Sequence, residues 1–263
     1  MAFHILLQIE KNMKSKSILR ATIALLPLMT GAQMLSAQQT LPAASALIAK
    51  YVAVTGGQAM VNAKSVLTKG GMSMPSAGIN GTVEMTQAGA NQMQMVTNIP
   101  GMGEVSAGYD GTIAWAADPM QGPRLLSGAE MAQVRDEADR RALVRDASLF
   151  TSMSTIADTT MNGERCYEVK LAWKSGRETF DCYSAATGYL VASRSVQTTS
   201  MGAVPVVSLF NDYKKFGDVT VATKTTMEMM GQQQILTISS VELGNGAVIT
   251  PPPAVQALAK PKQ

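Results

Sequence analysis

The chain has 263 residues, 46% hydrophobic and 16% charged, which suits one sizeable core and a single folded domain. Its formal charge of +3 belongs to the N-terminal segment: Lys11, Lys14, Lys16, Arg20 and Glu10 precede residue 38, so beyond it the basic count falls from 22 to 18 and the acidic count from 19 to 18. That neutral body excludes nucleic acid and an anionic membrane surface as electrostatic partners.

From Met13 the sequence has the form of a secretory leader. Lys14, Lys16 and Arg20 give a basic start, residues 21–29 are an apolar run too short to span a bilayer, and Ala37 offers a small residue before Gln38. The expected division is therefore a leader over 1–37, with translation starting at Met13 and cleavage near Ala37, and one domain over 38–263. No cysteine lies near the cut, so a free periplasmic or secreted product is expected, without a membrane span of its own. The sole histidine, His4, precedes the leader. An exported chain without histidine has no Ser-His-Asp or Cys-His nucleophile system and no histidine metal site.

Residues 42–54 carry Leu47, Ile48, Tyr51 and Val54 at helical spacing, stopped by Thr55-Gly56-Gly57, and a short second helix is expected over 58–63. Alternation then predicts strands over 65–74, 79–88, 91–98, 103–109 and 112–118. Gly108-Tyr109-Asp110-Gly111 reads as a hairpin turn, and Asn80-Gly81 reads as a turn in preference to a glycosylation sequon. Ser127 and Glu130 form a capping box, after which Met131, Val134, Ala138 and Ala142 share one helical face. Asp136, Glu137 and Asp139 share the other face with arginines, as a solvated, salt-bridged surface would. A second short helix is expected around 146–153.

Strands resume over 155–161, 165–173, 177–183, 189–198, 204–215, 219–230 and 233–243, and prolines 251–253 open an extended end. Residues 174–176 look like a three-residue hairpin loop with Gly176 in the left-handed position. With Trp173 opposite Arg177, Cys182 falls near Glu168, one pleat from Cys166. Export makes a Cys166–Cys182 disulfide the expected reading, against free thiols or a metal-ligand pair; Trp173 should pack beside that hairpin. The fold class is α+β: a curved antiparallel sheet of about eleven strands, which a sheet of this size tends to form by curling.

The element order resembles the LolA/LolB-like superfamily of periplasmic lipoprotein and lipid carriers. Locally, residues 51–57, Gly108-Tyr109-Asp110-Gly111 ahead of Ala114-Trp115, and Val241-Glu242-Leu243 with prolines following are similar to exported proteins described as outer-membrane lipoprotein-sorting proteins. The resemblance implies an unclosed half-barrel whose concave cavity takes acyl chains under a helical lid, here Met131, Val134 and Ala138. It departs from the classical carrier in its few aromatics, Trp115, Trp173 and four phenylalanines beyond the leader, and no arginine matches the carrier's lid latch.

Fifteen of the 19 methionines lie beyond the leader, and several recur two apart, hence on one strand face. Met72 and Met74, Met93 and Met95, and Met227 and Met229, with Met85, Met102 and Trp115, are the candidate cavity residues, since thioethers adapt to flexible guests. Two other readings stand beside this one: ordinary core filling, and a copper(I) site. The expected function is a non-catalytic carrier or sensor without cofactor or bound metal, taking a lipid, an acyl chain or another apolar ligand. The alternative is an envelope module with a filled core that binds a protein partner.

Overall fold

The structure, a computed structural model, describes residues 40–199 and 202–259; the expected leader lies outside them. Residues Thr40–Gln263 form one compact unit. Helices α1 (Ala44–Thr55) and α2 (Gly57–Asn62) precede strands β1 (Ser65–Met74), β2 (Ile79–Ala88), β3 (Gln92–Ile99), β4 (Gly103–Tyr109), β5 (Ala114–Asp118) and β6 (Gly122–Leu126). Helix α3 (Gly128–Ala138) follows, then β7 (Phe150–Met161), β8 (Glu164–Trp173), β9 (Glu178–Ser184), β10 (Leu190–Thr199), β11 (Gly202–Phe216), β12 (Val219–Met229), β13 (Gln232–Gly244) and α4 (Pro253–Ala259).

All thirteen strands form one antiparallel sheet in the order β6-β5-β4-β3-β2-β1-β13-β12-β11-β10-β9-β8-β7. Two meanders meet where β1 pairs with β13, with Ser65 opposite Gly244, and the outermost strands β6 and β7 leave the sheet unclosed. Its curvature follows from α3, which touches both β4 and β10. A flat sheet would hold those strands about 34 Å apart at about 4.8 Å per strand, whereas eleven helical residues span about 16 Å. The sheet is a half-barrel with α1, α2 and α3 on its inner face.

Four expectations change. The strand missed by pattern is β6, whose Pro123 and Gly122 resemble a turn; a proline is tolerated there because β6 is an edge strand. The helix expected over 146–153 is replaced by two 3₁₀ turns, Arg140–Val144 and Ala147–Leu149, and by the start of β7 at Phe150. Asp139 and Asp146 cap those turns by accepting the N–H groups of Arg141 and Ser148 at 3.0 and 2.8 Å. Ser127 is the N-cap of α3 but its side chain makes no capping bond, while Glu130 accepts a two-pronged pair from Arg124 at 2.8 Å each. Asn80-Gly81 lies inside β2, and the turn precedes it at Pro75–Ala77.

The disulfide hairpin has the expected register. Trp173 N–H donates to Arg177 O, Gly176 holds φ at 92°, and Cys182 lies opposite Glu168. Cys166 and Cys182 are bonded across a Cα separation of 5.5 Å. The Asp110 carboxylate accepts the N–H groups of Thr112 and Ile113 at 2.8 Å each, which fixes the expected β4–β5 turn.

Candidate functional site

Strand parity separates two faces. Val169, Leu171, Trp173 and Tyr183 pack with Ala44, Leu47 and Ile48 of α1, so they mark the inner face. Following the register outward, Ser193 and Ser195 of β10, Val206, Ser208 and Phe210 of β11, and Thr225, Met227 and Met229 of β12 share that face. So do Leu236 of β13, Met72 and Met74 of β1, Met85 of β2, and Met93 and Met95 of β3.

The part of the β7–β10 wing that lies beneath α1 is closed. Phe150 meets Trp173 edge-on at 4.6 Å, and the Trp173 indole N–H donates to Thr179 Oγ1 at 3.0 Å. Asp181, buried beneath α1, accepts from Arg145 Nε at 2.6 Å, from Ser193 Oγ at 2.8 Å and from Tyr183 OH at 3.2 Å. Burial by itself would lower the Arg145 pKa, and Asp181 more than reverses this, so the guanidinium stays charged. Burial raises the Tyr183 hydroxyl well above its ordinary value, with Asp181 adding to the effect. Both Asp181 oxygens are engaged by donors, so this network holds the Arg140–Val144 turn to β9 and offers no free base.

The rest of the inner face is only partly covered. A hollow of about 210 Å³ lies between the helices and the sheet, lined among others by Tyr51, Met60, Leu143, Met85, Phe210 and Thr225. A second space of about 620 Å³ opens at the strand ends beside the β8–β9 hairpin, under Ala129, Ala132 and Gln133 of α3, lined by the inner-face residues Ser195 and Val206 and also by the outer-face residues Phe180, Arg194 and Val207. Gln133 Oε1 accepts the Thr198 N–H there at 3.0 Å, occupying the place that further strand pairing would have taken.

The two spaces are linked by the strands between them. Along β11 the inner residues run Phe210, Ser208, Val206, so the hollow and the cleft are about 13 Å apart at about 3.3 Å per residue. Beside them on β12 run Thr225, Met227 and Met229, with Met227 opposite Ser208 and Met229 opposite Val206. Met227 and Met229 therefore pave the floor between the spaces. Met72 lies next to Leu236, Met85 faces Met95 across β2 and β3, and Met93 lies opposite Tyr109.

The remaining candidates lie elsewhere. Met102 occupies the β3–β4 turn, outside the half-barrel. Trp115 is on the outer face, fully buried with Ala88, Ile249 and Val255 under the segment leading into α4. The cavity-wall reading of Trp115 is corrected by strand parity: its neighbours Ala114 and Ala116 point inward, so its own ring points out. Gly108 opposite it makes room, since a Cβ there would come within 2.5 Å of the indole ring.

Met131, Val134 and Ala138 hold α3 onto Tyr109, Ala114 and Leu126. At its other side α3 is held by polar contacts, Asp136 accepting from Ser175 Oγ at 2.5 Å and from Arg177 Nε at 2.9 Å. Asp136 and Glu137 thus face the β8–β9 loop, and the solvated face expected for them is in fact a bridge across the half-barrel. Phe210, Leu143, Val206 and Gln133 were not legible as site residues, because their roles depend on register and on where a helix from another part of the chain lands.

No family model matches the chain, and no curated protein matches it either. Solved structures do. A LolA superfamily protein from Nitrosomonas europaea superposes with a TM-score of 0.52 at 12% identity, covering 78% of this chain and 94% of that one. A DUF1329 family protein from Desulfovibrio piger superposes with a TM-score of 0.53 at 13% identity over 78% and 94%. The half-barrel is a LolA-like fold. At these identities the likeness concerns the fold. No helix among the described residues is long and apolar enough to cross a membrane.

Proposed function

We propose that this chain is an exported, non-catalytic carrier or sensor of the cell envelope that holds a lipid, an acyl chain or another apolar ligand on the inner face of the half-barrel. The observation that carries this reading is the half-buried methionine floor joining the hollow under α1 and α2 to the cleft under α3. The hollow, at about 210 Å³, is smaller than the roughly 300 Å³ of an ordinary ligand pocket. It takes the end of a chain, and the floor of Met227 and Met229 and the cleft beyond take the rest. Unbranched, polarizable side chains suit a guest whose own shape varies.

The fold supports this reading, and the leader-like N-terminal segment fits a protein of the periplasm or the cell exterior. The test is native mass spectrometry of protein purified from its own envelope fraction, with uptake of a fluorescent fatty acid measured in parallel. A bound lipid mass and saturable uptake, weakened by Met227→Asp, are expected. A clean unliganded mass without uptake would sink the proposal and leave the reading in which the chain serves a protein partner. N-terminal sequencing of the exported protein checks the leader, with Gln38 expected as the first residue.

A further inference from the structure

Three pairs of methionines two apart lie on the inner face, and one of them has a further methionine across from it. Met72 and Met74 of β1 face no methionine on β2 or β13, and Met227 and Met229 of β12 face none on β11 or β13. On β3, by contrast, Met95 stands directly opposite Met85 of β2, and Met93 lies two residues away on the same face. Directly opposed side chains leave the sheet about 5 Å apart and diagonal ones about 7–8 Å, both within the span of long side chains. Three rotatable bonds in each methionine let the three sulfurs converge on one point.

The fourth corner of this square is Gln87, opposite Met93 and two residues from Met85 on the same face. Gln87 is 2% exposed, its Nε2 donates to Glu137 O of α3 at 3.5 Å, and its Oε1 has no hydrogen-bond partner among the described residues. A buried acceptor left without a donor is unfavourable, and a bound ion is one of the ordinary ways of satisfying it. Core filling accounts for the thioethers but not for this oxygen. The place is reachable as well: Met85 lines the hollow together with Met60, and Met95 is 38% exposed.

We propose that Met85, Met93 and Met95 form a binding site for a copper(I) ion, with Gln87 Oε1 as a weak fourth ligand. Thioethers are soft ligands that select copper(I). Zinc demands thiolate or imidazole, and calcium and magnesium demand several oxygens, none of which this square supplies. All four side chains are uncharged, so nothing in the square offsets the charge of the ion. The cost of taking an ion out of water rises steeply with its charge, which favours a monovalent ion over a divalent one. Spread along the chain, the methionines predict no bound metal; the β2–β3 register gathers three of them. The site does not rest on the carrier reading, whose floor runs along β12.

The test is anaerobic titration of the purified exported protein with copper(I) held by bicinchoninate, followed by the loss of colour of that complex. Saturable withdrawal of one ion per chain is expected, and X-ray absorption at the copper edge should show sulfur neighbours. The triple variant Met85→Leu, Met93→Leu, Met95→Leu keeps the apolar volume and so a cooperative thermal melt. It should lose at least about tenfold in copper affinity, the least that removing even an outer partner of a metal ordinarily costs. Met120→Leu with Met230→Leu, at exposed turn positions, should bind copper as the parent does. Absence of saturable withdrawal, undiminished withdrawal by the triple variant, or displacement of copper(I) by an equal concentration of zinc(II) would each overturn the proposal. Copper binding without fatty-acid uptake would leave this site standing and remove the carrier reading, and uptake without copper binding would do the reverse.

Discussion

The β7–β10 wing and the floor formed by β11–β13 with β1–β3 belong to one sheet with one alternation, yet only the part of the wing beneath α1 is filled. Under α1 the inner residues are Val169, Leu171, Trp173 and Tyr183, rigid and bulky, clamped by the Arg145–Asp181 pair and backed on the outer face by the disulfide. Beyond the reach of α1 and α2 the same inward positions carry Met72, Met227, Met229 and Met95, half-buried except for Met72, which is buried, and Met95, which is exposed. The difference teaches that a strand pattern selects a face but not its cover. The cover is supplied by helices from distant parts of the chain, and where it stops, flexible side chains take over from rigid ones.

The comparison is most severely tested by removing Asp181. Asp181→Ala leaves Arg145 charged and buried without its partner, so a loss of about 3–5 kcal/mol is expected in denaturant unfolding; a loss below about 1 kcal/mol would mean that the wing is not clamped by this pair. Reducing the disulfide comes next. It closes a loop of 16 residues' separation, and its loss should lower stability by about 3 kcal/mol, read as a fall in the thermal midpoint under reductant.

Matched truncations then compare the two regions directly. Leu171→Ala, in the filled wing, should lose about 2–5 kcal/mol, whereas Met227→Ala, half-buried on the floor, should lose about 1 kcal/mol while weakening fatty-acid uptake. Similar losses from both, with uptake unchanged, would erase the distinction between core and floor. The smallest effect concerns Glu130, which the two-pronged bond from Arg124 holds below its ordinary value of 4.5. Its contribution is present above that pH and lost as pH falls through the lowered folded value, and on a solvated surface it amounts to a few tenths of a kcal/mol, about 0.5. Thermal melts of Glu130→Gln and the parent should therefore differ slightly at about pH 7 and converge near pH 3.

Much of the fold was legible because its signals are local. Alternation placed eleven of the thirteen strands close to their observed ends, and Lys174-Ser175-Gly176 fixed the hairpin register that brings Cys166 to Cys182. β6 and the first half of β7 escaped because both are edge strands: Pro123 breaks the pattern of one, and Thr151, Ser152 and Ser154 leave the other without regular apolar alternation. Of the candidate site, the shared face of the methionine pairs was readable from their spacing of two. Trp115 was not, since its side depends on which of two adjacent residues faces in, and a shift of one residue inverts that choice.

By itself the sequence determined the neutral, histidine-free body beyond residue 37, the antiparallel meander, the disulfide hairpin and the pairing of methionines, all consequences of residue chemistry over short spans. The tertiary structure alone decided that the sheet curls under a single helix touching β4 and β10, and that Asp136 reaches Arg177 across the half-barrel. It also decided that the spaces on either side of Met227 and Met229 lie along one floor. The physical reason is the join between β1 and β13. That pairing links residues more than 160 positions apart, and no local pattern specifies which strand of the second meander will meet the first.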